Sequence, residues 1–251
     1  MKTAFRSALS SAVDWTQCLL GHKDIGTRIL TYHWINDTVG DYLSVPPAHF
    51  RSQMEFLREA GYEVISLRDL LEKGARSKTV GLTFDDGYRD NYENAFPILK
   101  EFGFTATVFC IAGRIGTDPY LNFTDIQEMH KAGIDFGSHT LSHPHLPKLD
   151  SEEKLKEIMN SRLELEEKTG IVPDFFCYPY GEYDSESTFL VEESGYLGAC
   201  TNDPGSNDGL EPYTLKRTEI SGFDSAEDFQ KKMSGAYDLL HKGLHWLRKR
   251  P

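Results

Sequence analysis

Apolar residues along this chain gather in short runs rich in β-branched and aromatic side chains, and several runs follow a glycine that closes a polar, helix-like stretch. The junction recurs at Glu59-Ala60-Gly61-Tyr62, Glu101-Phe102-Gly103-Phe104, Lys131-Ala132-Gly133-Ile134 and Glu193-Ser194-Gly195-Tyr196. Gly just past a helix end accepts the left-handed backbone that terminates the helix, and the run that follows begins a strand. Strands are predicted at 28–33, 62–65, 79–84, 104–111, 134–137, 174–178, 196–200 and 214–220. Ser151 to Thr169 carries Leu155, Ile158, Met159 and Leu165 at helical spacing opposite a charged face, with Ser151 as N-cap. A last helix is predicted over 225–247, with Phe229, Met233, Tyr237, Leu240 and Leu244 on one face. Strands alternating with helices imply an α/β fold with a parallel sheet, closed into a barrel or open. Residues 1–26 read as an N-terminal extension and 27–251 as a single domain, with no interdomain linker.

At 251 residues and 39% apolar side chains, the chain can bury the core of one large α/β domain. A formal net charge of −12 argues against nucleic-acid or anionic-membrane partners, since both select clustered Lys and Arg; Arg248-Lys249-Arg250 is too short to reverse that. Cys18, Cys110, Cys177 and Cys200 are widely spaced and include no Cys-x-x-Cys pair. They read as reduced, mostly buried thiols rather than a disulfide framework or structural zinc site. Asp14, Gln17 and several Ser interrupt the N-terminal region, leaving no signal-peptide core, and no run approaches the ~20 apolar residues of a membrane span. A cytoplasmic location is the expectation, with export of a longer precursor left open.

Thr83-Phe84-Asp85-Asp86-Gly87-Tyr88 places adjacent carboxylates where an apolar strand gives way to a glycine turn. Strand side chains alternate between faces, and the turn beginning at Gly87 is expected to let both acids converge on one pocket. Two acids in one pocket repel unless a cation lies between them or one takes a proton. Further on, Gly137-Ser138-His139-Thr140-Leu141-Ser142-His143-Pro144-His145 offers His139 and His143 four apart, a spacing that puts two imidazoles on one face of a helical turn. One carboxylate and two His form an open set suited to an ion that lowers the pKa of water to roughly 7, leaving the other carboxylate as general base. His145, two residues from His143, points elsewhere and is left out of the set. Asp85, Asp86, His139 and Tyr180 all follow predicted strands at their C-terminal ends, where barrel active sites collect, and this favours a barrel.

Thr-Phe-Asp-Asp-Gly at 83–87, Ser-His-Thr-x-x-His at 138–143 and Phe-Cys-Tyr-Pro-Tyr-Gly at 176–181, in that order, resemble the polysaccharide deacetylase family, carbohydrate esterase family 4. Ile29-Leu30-Thr31-Tyr32-His33 is similar to the start of one branch of it, and the likeness runs from about Ile29 to Ile220. The resemblance implies a distorted (β/α)7 barrel and a metal-dependent hydrolase that removes an N-acetyl group from a sugar of a glycan or its precursor, releasing acetate. Residue by residue it implies Asp86, His139 and His143 as ligands of one divalent ion and Asp85 as general base. It also implies the backbone N–H of Tyr180 as oxyanion donor, aimed by Pro179. Zinc is the expected ion for mixed N and O ligands, with Co2+, Ni2+ or Mn2+ as alternatives. His33, Tyr88 and Pro179 are expected to line the pocket for an N-acetylated saccharide.

Two departures from the family pattern stand out. Cys177 replaces the Arg that orients the catalytic Asp, and Arg217, in the predicted strand 214–220, is the candidate to supply a guanidinium from there. The family's late general-acid His has no counterpart near 215–220, while His241 and His245 read as surface residues of the last helix. Two rival activities are therefore carried: a hydrolase of a non-sugar amide or O-acetyl ester in the same fold, and a glycan-binding protein that keeps the metal without turnover.

Overall fold

The computed structural model describes residues 26–238. Its parallel strands are β1 (Arg28–Tyr32), β2 (Glu63–Val64), β3 (Thr79–Phe84), β4 (Thr107–Cys110), β5 (Asp135–Ser138), β6 (Phe175–Cys177), β7 (Gly198–Cys200) and β8 (Thr218–Glu219). They form one sheet whose main path runs β7-β6-β5-β4-β3-β1-β8. The short β2 pairs the first half of β3, Glu63 opposite Thr79, on the edge whose second half takes β4, Thr83 opposite Thr107. The sheet curls: Leu215 bridges to Cys200 of β7, and Thr218 pairs with Leu30 of β1, so one segment spans the gap between the two ends. The seven strands of this path form the expected distorted (β/α)7 barrel, in a single domain.

The helices are α1 (Pro47–Glu59), α2 (Leu67–Lys73), α3 (Phe96–Phe102), α4 (Phe123–Lys131), α5 (Ser151–Leu155), α6 (Ser161–Thr169), α7 (Ser185–Glu193) and α8 (Ala226–Ser234). Reciprocal capping boxes start α4 (Asn122 with Asp125), α5 (Asp150 with Glu153), α7 (Asp184 with Ser187) and α8 (Ser225 with Asp228). The junction glycines Gly61, Gly103, Gly133 and Gly195 all have positive φ, as the junction pattern requires. The central strands β1 and β3 are buried along their whole length, as expected for parallel strands covered on both faces. Leu30, Tyr32, Leu82 and Phe84 pack outward in the main core beneath the helices, while Ile29, Phe109, Phe175 and Leu215 fill a second cluster in the barrel interior.

Two predicted helices are revised. The segment 151–169 is interrupted by a π-helical turn at Lys156–Asn160, whose extra residue rotates the apolar stripe. Ile158 and Leu165 stay buried, Leu155 and Met159 face solvent, and the N-cap is Asp150 rather than Ser151. Among the described residues, the helix predicted over 225–247 begins at Ala226 and breaks after Ser234, because Gly235 takes φ 82°. Phe229 and Met233 are buried on its inner face, and Tyr237 is buried beyond its end. Leu240, Leu244, His241, His245, the terminal basic residues, Cys18 and nearly all of the predicted N-terminal extension lie outside the described residues. Among the described residues, no helix is long and apolar enough to cross a membrane.

Candidate active site and metal centre

Side chains alternate along β1 and β3, and Thr31 and Thr83, partners across the sheet, meet through their hydroxyls in the barrel interior at 3.3 Å. Two residues on, His33 and Asp85 face the same interior at the C-terminal mouth. Asp86 would point outward if β3 continued. Instead its backbone turns left-handed at φ 70° and Gly87 follows at φ 74°, so the turn starts at Asp86 itself, one residue earlier than the sequence suggests. A Cβ on Gly87 would lie 2.8 Å from Cys110 Sγ, so the turn closes against β4 only with glycine there.

β5 delivers His139, but residues 139–143 do not form the helical turn that their spacing suggests. Thr140 and His143 have φ 65° and 67°, and the His143 N–H donates to Thr140 Oγ1 at 2.9 Å. This tight loop folds His143 back beside His139, with ring centroids 4.7 Å apart. Among the described residues, Asp86, Thr140, His143 and Tyr180 are four of the five non-glycine positions with positive φ, a clustering of backbone strain typical of functional sites.

Asp86 Oδ1 lies 3.7 Å from His139 Nε2 and 3.6 Å from His143 Nε2. These separations are too long for hydrogen bonds. They approach the edge of a tetrahedron with metal–ligand bonds near 2.1 Å, which is about 3.4 Å. His139 Nδ1 is 2.7 Å from the Cys177 carbonyl, which can only accept, so Nδ1 carries the proton and Nε2 aims a lone pair at the centre. Burial, then the neighbouring His139, pushes His143 down to about 4, leaving a neutral imidazole available as a ligand at neutral pH. One carboxylate and two imidazoles so placed fit a divalent cation. Asp85, His139 and Cys177 also converge, but Asp85 is occupied by Arg217 and burial pushes the Cys177 thiol well up, so that cluster is the poorer fit.

Asp85 is nearly fully buried and gripped at both oxygens by Arg217, with Nη1 to Oδ1 at 2.6 Å and Nη2 to Oδ2 at 2.7 Å. Burial alone would raise its pKa; the Arg217 charge and its two bonds outweigh that and hold the carboxyl well below the usual range. Cys177 makes room for this fork: its Sγ is 3.7 Å from both Asp85 oxygens and 3.1 Å from Arg217 Nη2. Arg217 reaches in from the segment entering β8, where the sequence places it.

The remaining predicted residues are distributed around this pair. His33 Nε2 is 3.9 Å from Asp85 Oδ2, and His33 Nδ1 is buried without a partner among the described residues. Tyr180 sits at φ 59° in the turn opened by the buried Pro179, its ring between His143 at 4.6 Å and His145 at 4.1 Å. His145 turns away from the metal set, its Nδ1 2.8 Å from Glu182 Oε2. Tyr88 has its faces covered by Trp34 and Tyr120 and its hydroxyl on Asp86, so it supports a ligand carboxylate rather than offering a free ring. Sequence reasoning missed Asn202, whose Oδ1 accepts from Arg217 at 2.7 Å, and Glu219, which shares the inner face with Thr31. Both follow from strand parity: Asn202 comes just after β7, and Glu219 stands two residues from Arg217.

Residues 72–199 match the family model for polysaccharide deacetylase. A Bacillus subtilis protein, YxkH, whose name places it among the polysaccharide deacetylases, is 34% identical over 232 residues, covering 89% of this chain and 80% of its own. The poly-beta-1,6-N-acetyl-D-glucosamine N-deacetylase of Staphylococcus aureus is 28% identical over 218 residues, 78% of this chain and 73% of its own. The structure of the Streptococcus pyogenes deacetylase PplD in complex with acetate superposes with a TM-score of 0.76 at 27% identity, covering 84% of this chain and 99% of that one. The chain therefore belongs to the polysaccharide deacetylase family and is a hydrolase of the deacetylase class.

Proposed function

We propose that this protein removes N-acetyl groups from an N-acetylglucosamine-containing glycan in a reaction that requires one divalent metal ion, and releases acetate. The observation that carries the reading is the pairing of an Asp86, His139, His143 donor set with a neighbouring carboxylate, Asp85, kept ionised by Arg217. The name of the Staphylococcus aureus relative supports the substrate class. An ion held by Asp86 and the two imidazoles supplies Lewis-acid polarisation of the acetamide carbonyl and a lowered pKa for water, and zinc suits the mixed N and O donors.

The chain's own residues divide the proton traffic. Asp85, fixed by Arg217, takes a proton from the attacking water. The Tyr180 backbone N–H, aimed by the left-handed turn after Pro179, donates to the oxygen of the tetrahedral centre, a contribution typically worth a few kcal/mol. Breaking the C–N bond requires protonation of the departing amine nitrogen. His33 is the donor we assign, because its Nε2 stands at the mouth, 3.9 Å from Asp85 Oδ2. This fills the role the late general-acid His plays elsewhere in the family and removes the motive for reading the chain as a silent glycan-binding protein.

Acetate release from a panel of β-1,6-linked N-acetylglucosamine oligomers, chitooligosaccharides and O-acetylated sugars tests the reading. Turnover of an N-acetylated oligomer is the expected result. Turnover confined to O-acetyl esters would replace the proposal with its esterase rival.

A further inference from the structure

Glu219 pairs in register with Thr31, whose side chain lies in the barrel interior, so Glu219 projects from β8 into the same mouth as His33 and Asp85. Its Oε2 accepts from the Tyr42 hydroxyl at 2.9 Å. Tyr42 belongs to the loop after β1, and beside it stands Phe223 from the loop after β8, with ring centroids 6.1 Å apart at 56°. The two residues are 40% and 57% exposed, side by side at the mouth.

They are held firmly because the loops interlock. The Gly222 N–H donates to the Tyr42 carbonyl at 2.9 Å, and a Cβ on Gly222 would fall 2.0 Å from the Ser44 carbonyl oxygen, so the backbones touch. The Ser221 N–H donates to Asp224 Oδ2 at 2.8 Å, and Lys232 Nζ binds both that carboxylate and the Glu219 carbonyl. Two exposed rings and a carboxylate are thus presented on a rigid shelf, two strands from Asp85, or about 10 Å at the usual spacing between strands.

We propose that Tyr42, Phe223 and Glu219 form a distal saccharide subsite, where the rings stack on the apolar face of a pyranose and the carboxylate accepts from its hydroxyls. The inference rests on the proposed function, because it places a further unit of the same glycan on the shelf while the reacting acetamide lies at the metal set. It makes chain length a determinant of affinity.

Calorimetric titration of zinc-loaded Asp85→Asn protein with β-1,6-linked N-acetylglucosamine oligomers of two to six units tests it, in that background and with Phe223→Ala, Tyr42→Ala or Tyr42→Phe added. Affinity is expected to rise with length and then level off. Phe223→Ala and Tyr42→Ala should each lower hexamer affinity about threefold to tenfold while leaving dimer affinity unchanged, and Tyr42→Phe should keep most of the gain. Equal affinities for all proteins at every length, or equal losses on dimer and hexamer, overturn the subsite. If the wild type still releases acetate from the dimer in that case, the proposed function stands; absence of binding and of acetate release at every length removes both.

Discussion

A guanidinium 2% exposed inside a barrel needs an acceptor for its N–H groups, and Arg217 finds them in both oxygens of Asp85, Thr83 Oγ1, Asn202 Oδ1 and the Thr201 carbonyl. Removing it would leave Asp85 buried and unpaired, a loss that typically costs 3–5 kcal/mol of stability. The unopposed burial would also raise the Asp85 pKa and withdraw the base. Arg217→Lys keeps a charge but loses the fork, so it should lower kcat by at least about tenfold with little change in KM or bound metal. Wild-type turnover in Arg217→Lys would show that Asp85 needs no bidentate orientation. That one of the paired acids belongs with His139 and His143 was legible from donor types and spacing, while the choice of Asp86 over Asp85 came from the resemblance to the family. The approach of His33 to Asp85 was not legible, since it depends on the register that sets Tyr32 beside Phe84, far apart in the chain.

The elements place these residues through their ends. β3 and β5 each finish in left-handed backbone, at Asp86 and Thr140, and it is this departure from regular geometry that brings carboxylate and imidazoles together. Periodicity located the strands and the α-to-β junctions because burial fixes them. It could not reveal that 139–143 is a loop, since four-residue spacing suits a helical turn and a tight turn equally, nor that a π turn rotates the stripe of 151–169. Asp90 ties the loop after β1 to the turn after β3, accepting from the Ile35 N–H at 3.1 Å and from Asn36 Nδ2 at 2.7 Å. Burial outweighs these donors and pushes its carboxyl up to about 6. A carboxyl raised above its unfolded value contributes stability that is complete below about pH 4 and lost as pH rises through 6. Asp90→Asn should therefore gain stability relative to wild type between pH 4.5 and 7.5, by about 2–3 kcal/mol, in denaturant titrations at the two pH values. A difference that does not change with pH would mean that Asp90 is not raised.

At the scale of the whole molecule, the curled sheet gathers at one mouth the ends of β1, β3, β5, β6, β7 and β8, which supply His33, Asp85 and Asp86, His139, Tyr180, Asn202 and Glu219. Alternating strands and helices could not by themselves separate a barrel from an open sheet. The position of the motifs at strand ends favoured the barrel, because a single mouth is where distant segments can share one ion. The net charge of −12 is compatible with an uncharged glycan substrate. The central claim is a division of labour in which Asp86 and the two His hold an ion while Asp85 moves a proton. It is tested most directly by acetate release from a β-1,6-linked N-acetylglucosamine oligomer, measured against equivalents of zinc added to metal-stripped wild type and Asp85→Asn. The wild type should be inactive when stripped and fully restored by one equivalent. Asp85→Asn should bind that equivalent yet turn over about a hundredfold to ten-thousandfold more slowly. Full activity of the stripped enzyme, or undiminished turnover in Asp85→Asn, would contradict it.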